Sequence, residues 1–210
     1  MGQYTNKGLY NKYDKNHKER NKTDYYATPP GETLNILSIY RPFLNYESVL
    51  EPCAGGGHML EDIYEYCDNM NYNTTIFATD LHAHMKINNY PIWTGSQYDF
   101  LSDDYPIDSV DWIIMNPPYA TLEPFIIRGL EIAQTGMIVL ARLQFLEGKN
   151  RYENIFRKIP PNNIYIYVDR IQCWKDGIEP KGSSAQAYAW FIWDKTVSKE
   201  TICHWIRRSR

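Results

Sequence analysis

The chain has 210 residues, a net charge of −3 and ordinary apolar content, which suits one domain with a sizeable core; no apolar run reaches the roughly 18 residues that a membrane-spanning helix needs. Cys53, Cys67, Cys173 and Cys203 form neither a Cys-x-x-Cys pair nor a zinc spacing, and no apolar segment follows the opening residues, so a cytoplasmic protein without metal or secretory signal is expected. Charge is segregated, with balances of +3 over residues 1–28, −12 over 29–140 and +6 over 141–210; this suits a cationic small molecule held centrally and a polyanion at the margins, and equally a surface that its Lys and Arg merely solvate.

Residues 1–24 are rich in Asn, Lys and Tyr, lack apolar periodicity and read as a basic, flexible arm before a single domain over 25–210. Tyr25-Tyr26-Ala27-Thr28-Pro29-Pro30 is expected to be extended, because proline disfavours the helical conformation in the residue before it. Leu34, Leu37, Ile39 and Tyr40 predict a short helix stopped near Pro42. Strands and helices then alternate. Ser48–Glu51 reads as a buried strand, Pro52–Gly57 as a loop, His58–Cys67 as a helix and Thr75–Asp80 as a second strand. Ile92–Thr94 and Val110–Met115 predict two more strands, the latter running into Asn116-Pro117-Pro118-Tyr119. A helix over Glu123–Ala133, a strand over Gly136–Leu140, a helix near Tyr152–Arg157 and a strand over Ile164–Val168 follow. Ala187–Trp193 reads as the last strand, antiparallel to the rest. The alternation predicts an α/β, Rossmann-like fold: a mostly parallel, twisted sheet with helices on both faces.

In such sheets ligands bind beyond the carboxyl ends of the strands, where strand order reverses. Four strand ends carry unusual residues. At the first, three glycines (Gly55–Gly57) let the backbone turn sharply and a ligand approach closely, while Glu51 favours a cationic group such as an amine or sulfonium. No Gly-Lys-Ser/Thr follows, so this is not a phosphate-binding loop. At the second, Asp80 lies 29 residues after Glu51, where nucleoside-binding folds place the acid that grips a ribose. At the third, Asp99 suits an acceptor for an adenine amino group and Phe100 a packing surface for the ring. The fourth, Asn116-Pro117-Pro118-Tyr119, is the most specific. Its prolines make a rigid loop start. The Asn116 side-chain carbonyl and the Pro117 backbone carbonyl can together hold both hydrogens of an exocyclic amino group, and Tyr119 offers a flat face to a base taken out of a helix.

The run Val49-Leu50-Glu51-Pro52-Cys53-Ala54-Gly55-Gly56-Gly57, then Asp80, Asp99-Phe100-Leu101 and Asn116-Pro117-Pro118-Tyr119, resembles the motif series of DNA adenine-N6 methyltransferases of the bacteriophage and restriction–modification type. Tyr26-Ala27-Thr28-Pro29-Pro30 is similar to their upstream cofactor segment, and Leu140–Gly148 with Arg151 and Ala189–Asp194 to segments of phage enzymes, so the likeness covers residues 24–195. The resemblance implies a class I methyltransferase fold using S-adenosylmethionine and releasing S-adenosylhomocysteine, in a bacterial or phage-infected cell. It implies a cofactor lining of Tyr26, Thr28, Pro29, Glu51, Pro52, Cys53, Ala54, Gly55, Gly57, Asp80, Leu81, Asp99, Phe100 and Asn116. Asn116, Pro117, Pro118 and Tyr119 would handle the target base. With no large target-recognition domain, DNA would meet the loops 142–151 and 171–186, through Arg142, Lys149, Arg151, Lys181 and Ser183, and the basic arm. A monomer or weak dimer is expected, with a restriction-system partner as one option.

Other readings stay open. The Asn-Pro-Pro-Tyr run also suits methylation of RNA bases or protein glutamine amides, and a binding module without catalysis could keep the same fold. His82 and His84 read as surface residues, Trp174, Trp190, Trp193 and Trp205 as core or edge aromatics, and 206–210 as a tail that is solvated or touches phosphate.

Overall fold

The structure is a computed structural model that describes residues 25–42, 45, 47–82, 93–96, 98–182, 185–198 and 200–209, with only the backbone for 93–96. The arm 1–24, His84, Ser183 and Arg210 lie outside the described residues.

In chain order the elements are β1 (Tyr26–Ala27), α1 (Glu32–Tyr40), β2 (Ser48–Glu51), α2 (His58–Met70), β3 (Thr75–Asp80), β4 (Trp93–Ser96), β5 (Val110–Met115), α3 (Leu122–Ile132) and β6 (Ala133–Arg142). Then come β7 (Asn163–Tyr167), β8 (Trp174–Lys175), β9 (Tyr188–Asp194) and β10 (Ile202–Ile206). Among the described residues, eight strands form one sheet in the order β10-β7-β9-β6-β5-β2-β3-β4. β9 runs antiparallel to both neighbours and the other pairings are parallel. Strand order reverses between β2 and β5, which opens a crevice at their carboxyl ends.

The central strands are apolar on both faces because helices cover both. Period-two alternation sends Val49, Ile76, Trp112, Ile114 and Ile138 to one side, against Ile36 and Leu37 of α1 and Leu60 and Ile63 of α2. Leu50, Ile113, Met115 and Met137 go to the other, against Phe125 and Ile126 of α3. α1 ends at Arg41 and α2 at Asn71, each at positive φ with its backbone N–H turned back onto the last helical carbonyls. α1 has no cap of its own; Asp62 of α2 accepts from the backbone N–H groups of Gly31 (3.0 Å), Thr33 (2.9 Å) and Leu34 (3.2 Å).

Several expectations are corrected. The helix expected near 152–157 is a turn of α-helix at Lys149–Arg151 continuing as a π-helical stretch, Tyr152–Phe156. The tail is not free: Ile202–Ile206 adds an edge strand parallel to β7, and Ser209 hydrogen-bonds the buried Glu32 through its backbone N–H (3.1 Å) and hydroxyl (3.0 Å). Trp205 lies on that edge, 71% exposed, in keeping with the edge reading of this aromatic. A separate two-stranded ladder pairs β1 with β8, Tyr26 opposite Lys175 and Ala27 opposite Trp174.

Candidate active site

The parallel arrangement brings the ends of β2, β3, β5 and β6 to one edge of the sheet, and the antiparallel β9 starts there, with Tyr188 opposite Arg142. The expected residues Glu51, Asp80 and Asn116 therefore gather at the crevice.

Glu51, closing β2, is 2% exposed, and no donor among the described residues reaches its Oε2. Burial pushes its carboxyl well above the usual range, and the negative charges of Asp80 and Asp62 push the same way. A buried carboxylate lacking a donor is costly unless a cation joins it, so the site suits a positively charged ligand. Asp80 closes β3 and accepts from the backbone N–H of Gly55 (2.8 Å) through one oxygen and of His82 (2.7 Å) through the other. It thereby ties the glycine loop to the sheet and keeps lone pairs for a further donor.

Gly55 has φ +52° and Gly57 φ +92°, the left-handed region that glycine enters without strain. Close approach adds a second demand: a Cβ on Gly55 would lie 2.2 Å from a ring carbon of Tyr25. Tyr25 lies across the loop, its hydroxyl accepting from the Gly56 N–H (2.8 Å) and meeting His58 Nδ1 (3.3 Å). Burial raises its pKa against that N–H, and Glu51 and Asp80 raise it further. The β1–β8 ladder holds this strap: the Asp176 N–H donates to the Tyr25 carbonyl (2.9 Å), and Trp174 meets His58 edge-on.

Asn116 emerges from β5 with its amide fixed. Its Nδ2 donates to the Tyr26 carbonyl (2.8 Å) and the Thr28 hydroxyl (3.2 Å), and lies 3.9 Å from Cys173 Sγ. A backbone carbonyl can only accept, so the amide nitrogen must face it, and Oδ1 is left as the group's acceptor. The Asn116 backbone N–H bonds the Cys53 thiol, whose pKa burial nonetheless holds well above its usual value. Pro117 is buried and Pro118 half-buried. The Tyr119 hydroxyl donates to that of Tyr188 (3.1 Å), and its ring leans on Tyr26 at 5.7 Å. Burial, with Cys173 and Tyr188 beside it, pushes the Tyr119 phenol far up, so it stays protonated.

The remaining expected residues are placed less tightly. Thr28, Pro52 and Ala54 are buried, and Pro29 is half-buried. Asp99 is exposed and accepts from the Leu101 N–H (2.9 Å), an Asx turn beside the end of β3. Phe100, expected to pack on a ligand ring, is 1% exposed and enclosed by Tyr105 and Phe125, each at 5.2 Å, because a large apolar ring gains most from core burial. Leu81 is 47% exposed. Arg151 turns inward on its own loop, donating to the carbonyls of Gln144 and Glu147, whereas Lys149 and Lys181 are exposed. Sequence reading missed Tyr25, His58, Cys173 and Tyr188; only the aromatic neighbour of Tyr26 and the histidine after the glycines hinted at the first two.

No family model and none of the curated proteins matches this chain. Solved structures resemble it in fold. A Listeria monocytogenes protein described as a class I S-adenosylmethionine-dependent methyltransferase matches with a TM-score of 0.64 at 14% identity, over 97% of this chain and 72% of its own. The methyltransferase subunit of a type I restriction–modification system from Streptococcus thermophilus gives 0.62 at 13%, over 90% and 48%. A protein from Vibrio vulnificus, described as a type I restriction enzyme's modification subunit, gives 0.60 at 13%, over 95% and 49%. The chain spans about half the length of the two restriction–modification subunits. Its fold is thus the α/β, Rossmann-like fold that the strand alternation predicts, in the class I methyltransferase form that the motif resemblance implies, with a mostly parallel sheet that includes an antiparallel strand.

Proposed function

We propose that this chain transfers a methyl group from S-adenosylmethionine to the N6 amino group of adenine in DNA. The observation that carries the reading is the clamped Asn116 amide at the crevice, with Oδ1 left to accept, near the buried Glu51 carboxylate, whose Oε2 meets no donor among the described residues. The cofactor suits the residues present: Glu51 offers a charge partner to its cationic end, Asp80 an acceptor for ribose hydroxyls, and Gly55–Gly57 and Thr28 a polar, close-fitting wall. When bound, S-adenosylmethionine supplies an already activated methyl group, so alignment and exclusion of water are the protein's task.

The chain's own residues do this as follows. Asn116 Oδ1 and the Pro117 carbonyl accept the two amino hydrogens of the adenine, draw them out of the ring plane and return electron density to nitrogen. Tyr26 and Thr28 keep the amide from rotating, which holds that acceptor within the small error transfer tolerates. The base reaches the site by leaving its duplex, at a cost of a few kcal/mol, and stacking on Tyr119 returns about 1–3 kcal/mol. The exposed Lys149 and Lys181 suit phosphate contacts. Two of the fold's neighbours are described as subunits of restriction–modification systems, which supports DNA as the acceptor class.

The test is a tritiated-methyl transfer assay with DNA, RNA and protein acceptors, run on the wild type and Asn116→Ala. Label in DNA as N6-methyladenine is expected from the wild type. The variant should bind S-adenosylmethionine within about 3-fold of wild type while transfer falls at least about 1000-fold, consistent with loss of an acceptor that acts in the transition state. Label only in RNA or protein, or wild-type turnover by the variant, would refute the assignment.

A further inference from the structure

Arg142 ends β6 opposite Tyr188, and its guanidinium carbon lies 4.2 Å from the centroid of the Tyr119 ring. Tyr26 and Tyr188 meet that ring at 5.7 and 6.3 Å, tilted by 43° and 49°. Arg142 is thus the one described group that the contacts place over the ring as a stacked base would lie. It is thinly paired there: the Tyr188 hydroxyl is a polar partner, but its Nε is buried without one, and among the described residues it forms no ion pair. A cation–π contact is a weak anchor next to base–aromatic stacking, so an incoming base can displace it. A displaced guanidinium keeps five N–H donors in a planar fork suited to bidentate binding of phosphate, and a nucleotide brings its own phosphodiester into reach.

We propose that Arg142 stands in for the target base: it covers the face of Tyr119 while no base is present, and turns onto a phosphodiester of the same strand when a base takes that face. This rests on the stacking role proposed for Tyr119. One side chain then guards the aromatic seat and couples its filling to grip on the backbone.

The proposal makes opposite demands on two ligands. Titrations use the fluorescent nucleoside 2-aminopurine deoxyriboside, whose quenching reports stacking, and a labelled adenine-containing single-stranded oligonucleotide. Arg142→Ala should bind the nucleoside about 2–5-fold tighter, because nothing needs displacing. It should bind the oligonucleotide several-fold more weakly, with a salt slope reduced by about 1. Arg142→Lys keeps a point charge without the flat fork, so it should share the tighter nucleoside binding and recover most of the oligonucleotide binding. Both affinities falling together, or neither changing, would overturn the proposal, as would a wild type that quenches no nucleoside. Methyl transfer to DNA by the same wild-type preparation is read in parallel and tells whether the adenine reading fails with it. If the alanine variant loses its cooperative melt, the lysine variant carries the test.

Discussion

Glu51 concentrates the chemistry of the site in one side chain. Its carboxyl is raised by burial first and by Asp80 and Asp62 next, so in the folded chain it holds a proton that the unfolded chain, near pH 4.3, has already released. The stability this group contributes is complete below the unfolded value and is lost as pH rises towards the folded one. Glu51→Gln removes the titration, so melts from pH 4 to 8 should show the variant gaining on wild type as pH rises. Parallel curves would contradict this. The gathering of Glu51, Asp80 and Asn116 at one edge was legible, because Glu51 and Asp80 close apolar strands, Asn116 directly follows one, and a parallel sheet brings strand ends together. Tyr25, Cys173 and Tyr188 were not: Tyr25 reaches the glycine loop through the β1–β8 ladder, and Tyr188 meets Tyr119 from a strand that runs the other way. No local pattern distinguishes a ring that packs on a ligand from one that packs, as Phe100 does, on Tyr105 and Phe125.

Helix α1 shows how one element depends on another. Gly31 offers its first turn no side-chain acceptor, and three of its exposed-end N–H groups converge on Asp62 of α2 instead. Asp62→Ala should cost about 1–3 kcal/mol, the range for stranding buried donors, and lower the melting temperature by about 2–4 °C per kcal/mol. Differential scanning calorimetry reads this directly, and an unchanged melt would mean that water replaces the cap. α1 carries Ile36 and Leu37 into the core, and the strap that holds Asn116 leads into its first turn, so the cap supports the site as well as the helix. Most strands were readable from apolar runs bounded by turn residues, and β3 and β5 fall where expected. β10 was not, because four of its five residues are exposed or half-exposed, so no covered face imposes an apolar alternation on Ile202–Ile206. The β1–β8 ladder, two residues on each side, has no sequence period at all.

The whole molecule is a strand order built around one reversal. Parallel strands with helices on both faces leave the polar ends of β2, β3 and β5 together, and the acidic middle of the chain supplies the carboxylates found there. The chain spans about half the length of the two restriction–modification subunits, and what it shares with them is the fold that forms the crevice. Calorimetric titration of S-adenosylmethionine into the wild type and Glu51→Gln tests the proposed role of that crevice most directly. The wild type should bind one equivalent, more tightly as pH rises through the raised Glu51 titration, and the variant about 10–100-fold more weakly, the equivalent of one charge-assisted contact. A wild type that takes up no S-adenosylmethionine would contradict the account.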